Sequence, residues 1–170
     1  MSKKLIIFLA LALIGTTVAI VYFTLFRYGE KTIEKSKIEQ PTVNLKIYLP
    51  SSNSLLTKEI YLQKESSEIK NIEKTLENFL SELPSPLKET KILGIYRDKE
   101  DIVYIDLSKN FAIPQTLQEE YFLLKSFYKT LKENFSWIKD IKILVEGKEI
   151  ESISGHISIT SSLKEAVEEN

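Results

Sequence analysis

The uncharged run from Leu5 to Phe26, LIIFLALALIGTTVAIVYFTLF, constrains this chain more than any other feature. At about 1.5 Å of rise per residue, a helix of that length crosses a hydrocarbon core of roughly 30 Å. A helix is required because lipid offers backbone polar groups no partners. The run predicts a cytoplasmic head at residues 1–4, a single transmembrane signal-anchor helix at 5–26, and the rest of the chain outside the cytoplasm. A cleaved signal peptide is the competing reading, since Thr17-Val18-Ala19 offers a peptidase small side chains. Cleavage there leaves IVYFTLF on a soluble product, and the span exceeds an ordinary signal core, so the uncleaved anchor is expected. Lys3 and Lys4 favour an inside N-terminus, although Arg27, Lys31, Lys35 and Lys37 come directly after the run, and Tyr22, Phe26 and Tyr28 suit the far interface.

The remainder of the chain is long enough for one domain with one core. The whole sequence holds 23 basic and 24 acidic residues, a formal charge of −1. No cluster of Lys and Arg forms the basic face that nucleic acid requires, so no nucleic-acid partner is expected. The chain has no cysteine, which removes disulfides, thiolate chemistry and the lipidated cysteine of lipoproteins, and leaves the peptide itself as anchor.

Residues 27–42 are mostly polar, end near Pro41, and read as a stalk reaching on the order of 50 Å if extended. Val43, Leu45, Ile47 and Leu49 then alternate with Asn44, Lys46 and Tyr48, which is a strand's period. Pro50-Ser51-Ser52-Asn53 turns the chain into a hairpin partner at Leu56 to Gln63. Between Ser67 and Leu83 the period becomes helical, through Ile69, Ile72, Leu76, Phe79, Leu80 and Leu83. Two more strands are expected at Lys91–Tyr96 and Ile102–Leu107 as an antiparallel hairpin. Thr116-Leu117-Gln118-Glu119 is a capping box opening a helix whose stripe runs through Leu117, Tyr121, Leu124, Tyr128, Leu131 and Phe135. A strand at Ile141–Val145, the turn Glu146-Gly147-Lys148 and a shorter extended stretch through Ile150, Ile153, Gly155, His156 and Ile157 close the domain at 43–160. Residues 161–170 read as a flexible acidic tail. The order β-β-α-β-β-α-β-β predicts an α+β fold, a small antiparallel or mixed sheet with two helices on one face.

From Leu83 onward the sequence resembles the GerMN domain family of bacterial sporulation and spore germination proteins. Leu83-Pro84, Thr90-Lys91-Ile92-Leu93, Val103-Tyr104-Ile105-Asp106-Leu107-Ser108-Lys109-Asn110-Phe111, Ile143-Leu144-Val145-Glu146-Gly147-Lys148 and Gly155-His156-Ile157 carry the resemblance in order and spacing. It implies a fold similar to ring-building motifs, tethering outside the cytoplasmic membrane, and an interaction or assembly role. In that pattern Asp106, Leu107, Ser108, Phe111, Gly147, Gly155 and His156 are structural signature residues. The chain departs from the sporulation member in having one domain instead of two, and a transmembrane helix instead of a lipid anchor.

His156, the only histidine, has Ser154 and Ser158 nearby, but neighbours at i±2 in an extended segment do not converge as a hydrolase needs. Its imidazole is expected to tie down the chain by hydrogen bonds. Asp106 interrupts an apolar strand and is expected to cap the turn at Ser108-Lys109-Asn110. Glu119 and Glu120 are adjacent, and read as solvation and capping residues on a surface. No phosphate loop, GxGxxG, HExxH or EF-hand loop occurs, so no cofactor and no metal is expected. Tyr121, Phe122, Phe127, Tyr128, Phe135 and Trp137 exceed what one helix face can bury. Phe122 and Phe127, off the main stripe, are therefore candidates for a partner surface. The expectation is a non-enzymatic, single-pass protein of the bacterial cytoplasmic membrane whose outer domain docks protein partners or a second copy. An envelope sensor or carrier binding a small molecule or cell-wall fragment is the alternative.

Overall fold

The computed structural model describes residues 3–4, 13–24 and 41–168. The chain divides into two compact units, 1–39 and 40–170. In the first, residues 13–24 are helical and their apolar side chains are exposed. Thr16, Thr17 and Thr24 return their hydroxyl protons to carbonyls three or four residues back, so the hydroxyls are satisfied within the helix. Among the described residues no helix is long and apolar enough to cross a membrane. Much of the expected span and nearly all of the expected stalk, residues 5–12 and 25–40, lie outside the described residues.

The second unit opens with the hairpin β1 (Thr42–Pro50) and β2 (Leu55–Gln63), paired in the register Leu45 with Ile60 and Ile47 with Lys58. Helix α1 (Glu68–Ser81) comes next, then β3 (Ile92–Arg97) and β4 (Ile102–Leu107), helix α2 (Leu117–Asn134), β5 (Asp140–Val145), β6 (Lys148–Glu149) and helix α3 (Leu163–Glu168). The predicted order is present through β5, but the closing strand is only Lys148–Glu149, beside the expected turn, residues 150–157 carry no strand and a further helix follows. The strands form two sheets instead of one, the β1–β2 pair and a mixed sheet in the order β3-β4-β5-β6.

The reason for the split lies on α2. Lys46 N–H donates to Asn134 Oδ1 (3.0 Å) and Tyr48 N–H to Thr130 Oγ1 (2.9 Å), while Asn134 Nδ2 donates to the Lys46 carbonyl (2.6 Å). The outer edge of β1 is thus satisfied by helix side chains, and no further strand is admitted there. Since Lys46 and Tyr48 face α2, their opposites Glu59 and Thr57 point their backbone groups away from β1. The bond from Lys64 N–H to the Pro41 carbonyl (2.9 Å) continues the ladder in that phase.

In the larger sheet β4 and β5 are parallel, joined through α2 as the crossover that parallel neighbours require. Val103, Ile105, Leu107, Ile141 and Ile143 alternate into the core under the helices, and Tyr104, Asp106, Lys142 and Leu144 are half-exposed on the other face. The core is completed by Ile72, Leu76 and Phe79 of α1 and Leu124, Phe127 and Leu131 of α2.

Three expectations about burial are corrected. Phe127 is fully buried, with ring centroids 5.8 Å from Phe79 and 5.4 Å from Phe111, so it is no part of a surface. Helix α2 is covered by β1 on one side and the main core on another, which buries Ser126, Phe127 and Thr130 beyond the single stripe. Leu117, placed on that stripe, is 57% exposed because the first turn projects past the core. The part of the expected flexible tail that is described, residues 161–168, is packed: α3 buries Leu163, Ala166 and Val167, and Lys142 Nζ donates to the carbonyls of Thr160 and Ser161. Its apolar stripe spans little more than one turn, too short to register as a period.

Candidate functional site

Asp106 caps a turn, but not the one expected. In the parallel register it stands beside Leu144, and its Oδ1 accepts the Gly147 N–H at 2.8 Å. Glu146 (φ 53) and Gly147 (φ 74) both have positive φ, as a tight turn between β5 and β6 requires. The Ser108 turn is held otherwise. Ser108 exchanges two 2.9 Å bonds with the Lys91 backbone, and Lys109 N–H donates to Glu146 Oε1 at 3.0 Å. Leu107 and Phe111 on either side are fully buried.

The centre of the arrangement is a residue whose sequence context reads as surface. Glu120 is 0% exposed. Its Oε1 accepts N–H groups from Ile153 (3.2 Å) and Ser154 (3.0 Å), and its Oε2 accepts that of His156 (3.0 Å). A buried carboxylate is tolerable when charge-assisted bonds of this kind replace its water. Glu120 sits four residues before Leu124 and seven before Phe127, on the buried side of α2, and that spacing was the signal available in the sequence.

The segment Glu120 holds reaches back to the chain before α2. The Ser154 hydroxyl donates to the Ile113 carbonyl (2.5 Å), and His156 Nε2 lies 3.0 Å from the Gln115 carbonyl, which requires the proton on that nitrogen. Gly155 takes φ 92, and its N–H meets Ser152 Oγ. Residues 153–156 thus staple 113–115 to the first turns of α2. The helix start is fixed by the capping box: Thr116 N–H and hydroxyl both donate to Glu119 Oε2 (2.9 and 2.8 Å), and Glu119 N–H returns to Thr116 Oγ1 (3.3 Å). The Thr116 backbone bond, with its hydroxyl second, holds the Glu119 carboxyl below the usual range.

Two concavities flank these turns. One, of about 860 Å³, is mostly apolar and lies among Leu117, Tyr121, His156, Ile157 and Ala166. The other, a groove of about 650 Å³, runs between the β1–β2 turn, residues 84–87 and residues 113–123, with half-buried Phe122 on its wall against Tyr121 (5.4 Å between centroids). His156, Asp106 and the serines do not form a catalytic set: His156 binds Gln115, Asp106 binds Gly147, and Ser154 binds Ile113. Among the described residues no three His, Asp or Glu side chains are grouped to hold a metal ion.

The Germane family model, described as sporulation and spore germination, matches residues 46–151. A crystal structure of a candidate lipoprotein from Clostridium perfringens is similar in fold, with a TM-score of 0.51 at 20% identity over 71% of this chain and 86% of that one. The tandem GerMN domains of the sporulation protein GerM from Bacillus subtilis align with a TM-score of 0.47 at 22% identity, over 70% of this chain and 47% of that one. The chain thus spans about half the length of the latter. No curated protein matches.

Proposed function

The chain belongs to the Germane family of sporulation and spore germination proteins, and on that premise we propose that it is a membrane-tethered, extracytoplasmic assembly module of the bacterial envelope. It works by docking protein partners and not by catalysis. The observation that carries the reading is the apolar surface on the first turns of α2. Leu117 is 57% exposed there, Tyr121 and Phe122 are half-buried beside it, and concavities lie on either side. An aromatic and aliphatic ridge held rigid from beneath has the make-up of an interface anchor. Tethering through residues 5–26 is supported by the exposed apolar helix at 13–24, whose threonine hydroxyls are satisfied internally. Attachment to a bilayer raises local concentration, so a modest contact is enough for assembly. The small-ligand alternative draws on the apolar 860 Å³ hollow, whose size suits a small molecule.

The test is crosslinking in cells of the full chain, of a form lacking residues 1–26, and of Leu117→Asp. Recovery of one envelope protein, or of an oligomer of this chain, chiefly from the tethered form and lost with Leu117→Asp is expected. A monomer with no captured partner refutes the proposal.

A further inference from the structure

Strand β2 runs from Leu55 to Gln63 without a break in its register with β1. Thr57, Glu59, Tyr61 and Gln63 carry the backbone groups that point away from β1, and among the described residues none of those groups has a partner. All four residues are exposed, Tyr61 at 68%. A long, regular, unpaired edge is a template for another strand. The end strand of the larger sheet, β3, is a poorer template, because its register with β4 shifts between Ile92 and Gly94 and an irregularity of that kind turns an edge away from pairing.

The strand that fits is specified by the charges on β2. An antiparallel partner must set its own outward residues opposite these, which leaves a second β2 few two-fold registers. Centring the pair on Lys58 sets Lys58 against Lys58, centring it on Glu59 sets Glu59 against Glu59, and centring it on Tyr61 sets Lys58 against Lys64. Like charges directly opposite are destabilising. Centring on Thr57 shortens the overlap to about half of the strand. Centring on Ile60 opposes no like charges: Glu59 faces Tyr61, Lys58 faces Leu62 and Thr57 faces Gln63. The two Ile60 side chains then meet, each flanked by Leu45 of its own hairpin, and Lys58 keeps Glu82 as its ion partner at 2.8 Å. We infer that two copies of this chain join by antiparallel β2–β2 pairing about Ile60. This self-match in one register is what points to a second copy as the occupant. The two-fold axis stands perpendicular to the sheet, so both chains enter β1 at the same height and both tethers reach one bilayer. A strand pair of this length buries less than the roughly 1,200 Å² of a stable interface, so the pairing depends on the local concentration that an anchor supplies. The inference rests on the tethered assembly reading and names the partner.

The chain has no cysteine, so single cysteines in the full chain, expressed in bacterial membranes, report the register. Ile60→Cys is expected to oxidise to a disulfide-linked dimer, since residues opposite each other in a non-hydrogen-bonded pair have Cα atoms about 4.5 Å apart. Thr57→Cys and Gln63→Cys, each about 20 Å from its own copy along the strands, are expected to stay unlinked alone and to join through a short bismaleimide when co-expressed. Tyr61→Pro added to Ile60→Cys removes an outward N–H and leaves the ladder with β1 intact, and should cut the disulfide yield at least about tenfold. The co-expressed pair leaves the backbone unchanged and decides the register whatever the proline does to folding. The inference is overturned if Ile60→Cys gives no dimer or links only to a different envelope protein, if Thr57→Cys alone links as well as Ile60→Cys, or if a folded Tyr61→Pro variant keeps the full yield. A partner captured in cells and lost with Leu117→Asp, without any β2 linkage, keeps the assembly reading and removes this pairing. Linkage through β2 that survives Leu117→Asp, with no other partner captured, keeps the pairing and removes the α2 ridge as the docking surface.

Discussion

Removing the Glu120 carboxylate is the sharpest probe of this architecture. Glu120→Ala strips acceptors from the N–H groups of Ile153, Ser154 and His156. A lost bond to a charged acceptor costs about 1.5–3 kcal/mol, but water refills part of the loss at Ser154 and His156, which are nearer the surface, so the total is about 3–5 kcal/mol. For a domain of this size that lowers the melting temperature by about 10–20 °C. Glu120→Gln keeps one oxygen for Ile153 and Ser154 but turns an amide donor toward the His156 N–H, and should cost about 1–2 kcal/mol. The assay is urea unfolding of the full chain in mild detergent followed by Trp137 fluorescence, with amide exchange read at 153, 154 and 156. A glutamate on a solvated face would lose about 0.5 kcal/mol or less. A Glu120→Ala loss below about 1 kcal/mol, or unchanged exchange at those amides, would refute the staple.

Phe127→Ala should destabilise by about 3–5 kcal/mol without weakening partner capture directly, because the ring fills the core against Phe79 and Phe111; urea midpoints at equal m-value test it. Gly147→Ala should cost about 1–2 kcal/mol because φ 74 strains any side chain. Gly94→Ala should cost less than about 1 kcal/mol: a Cβ there meets Tyr96 Oη at 2.6 Å, but that ring is 59% exposed and swings aside. The two glycines are separated by parallel thermal melts. The Glu119 carboxyl is held below its usual range on folding, so its contribution is complete above that range and fades as the pH falls through the folded value. Urea midpoints followed into acid should flatten in Glu119→Gln, and an unchanged slope refutes that account.

Regular elements were legible because each carried its own period or cap. The alternation from Val43, the stripe of α1 and the Thr116–Glu119 box need only local sequence, and all three are present. The hidden features depend on two segments meeting. That α2 lies between the core and β1 is a consequence of Thr130 and Asn134 reaching the strand edge, which no single-face stripe records. Phe127 looked superfluous only because one buried face was counted where two exist. Asp106 finds Gly147 across a parallel pairing, 41 residues away in sequence, so the nearer turn was the natural but mistaken choice.

The asymmetry of the hairpin bears on how copies of this protein can stack. Side chains of α2 close the β1 edge, whereas β2 turns the backbone groups of Thr57, Glu59 and Tyr61 outward. The β2 of a second copy laid along it makes a four-stranded sheet, β1-β2-β2-β1, whose two outer edges are both already sealed by a helix. Extension through this sheet therefore terminates after one addition: it allows pairing, and it cannot propagate as a fibre.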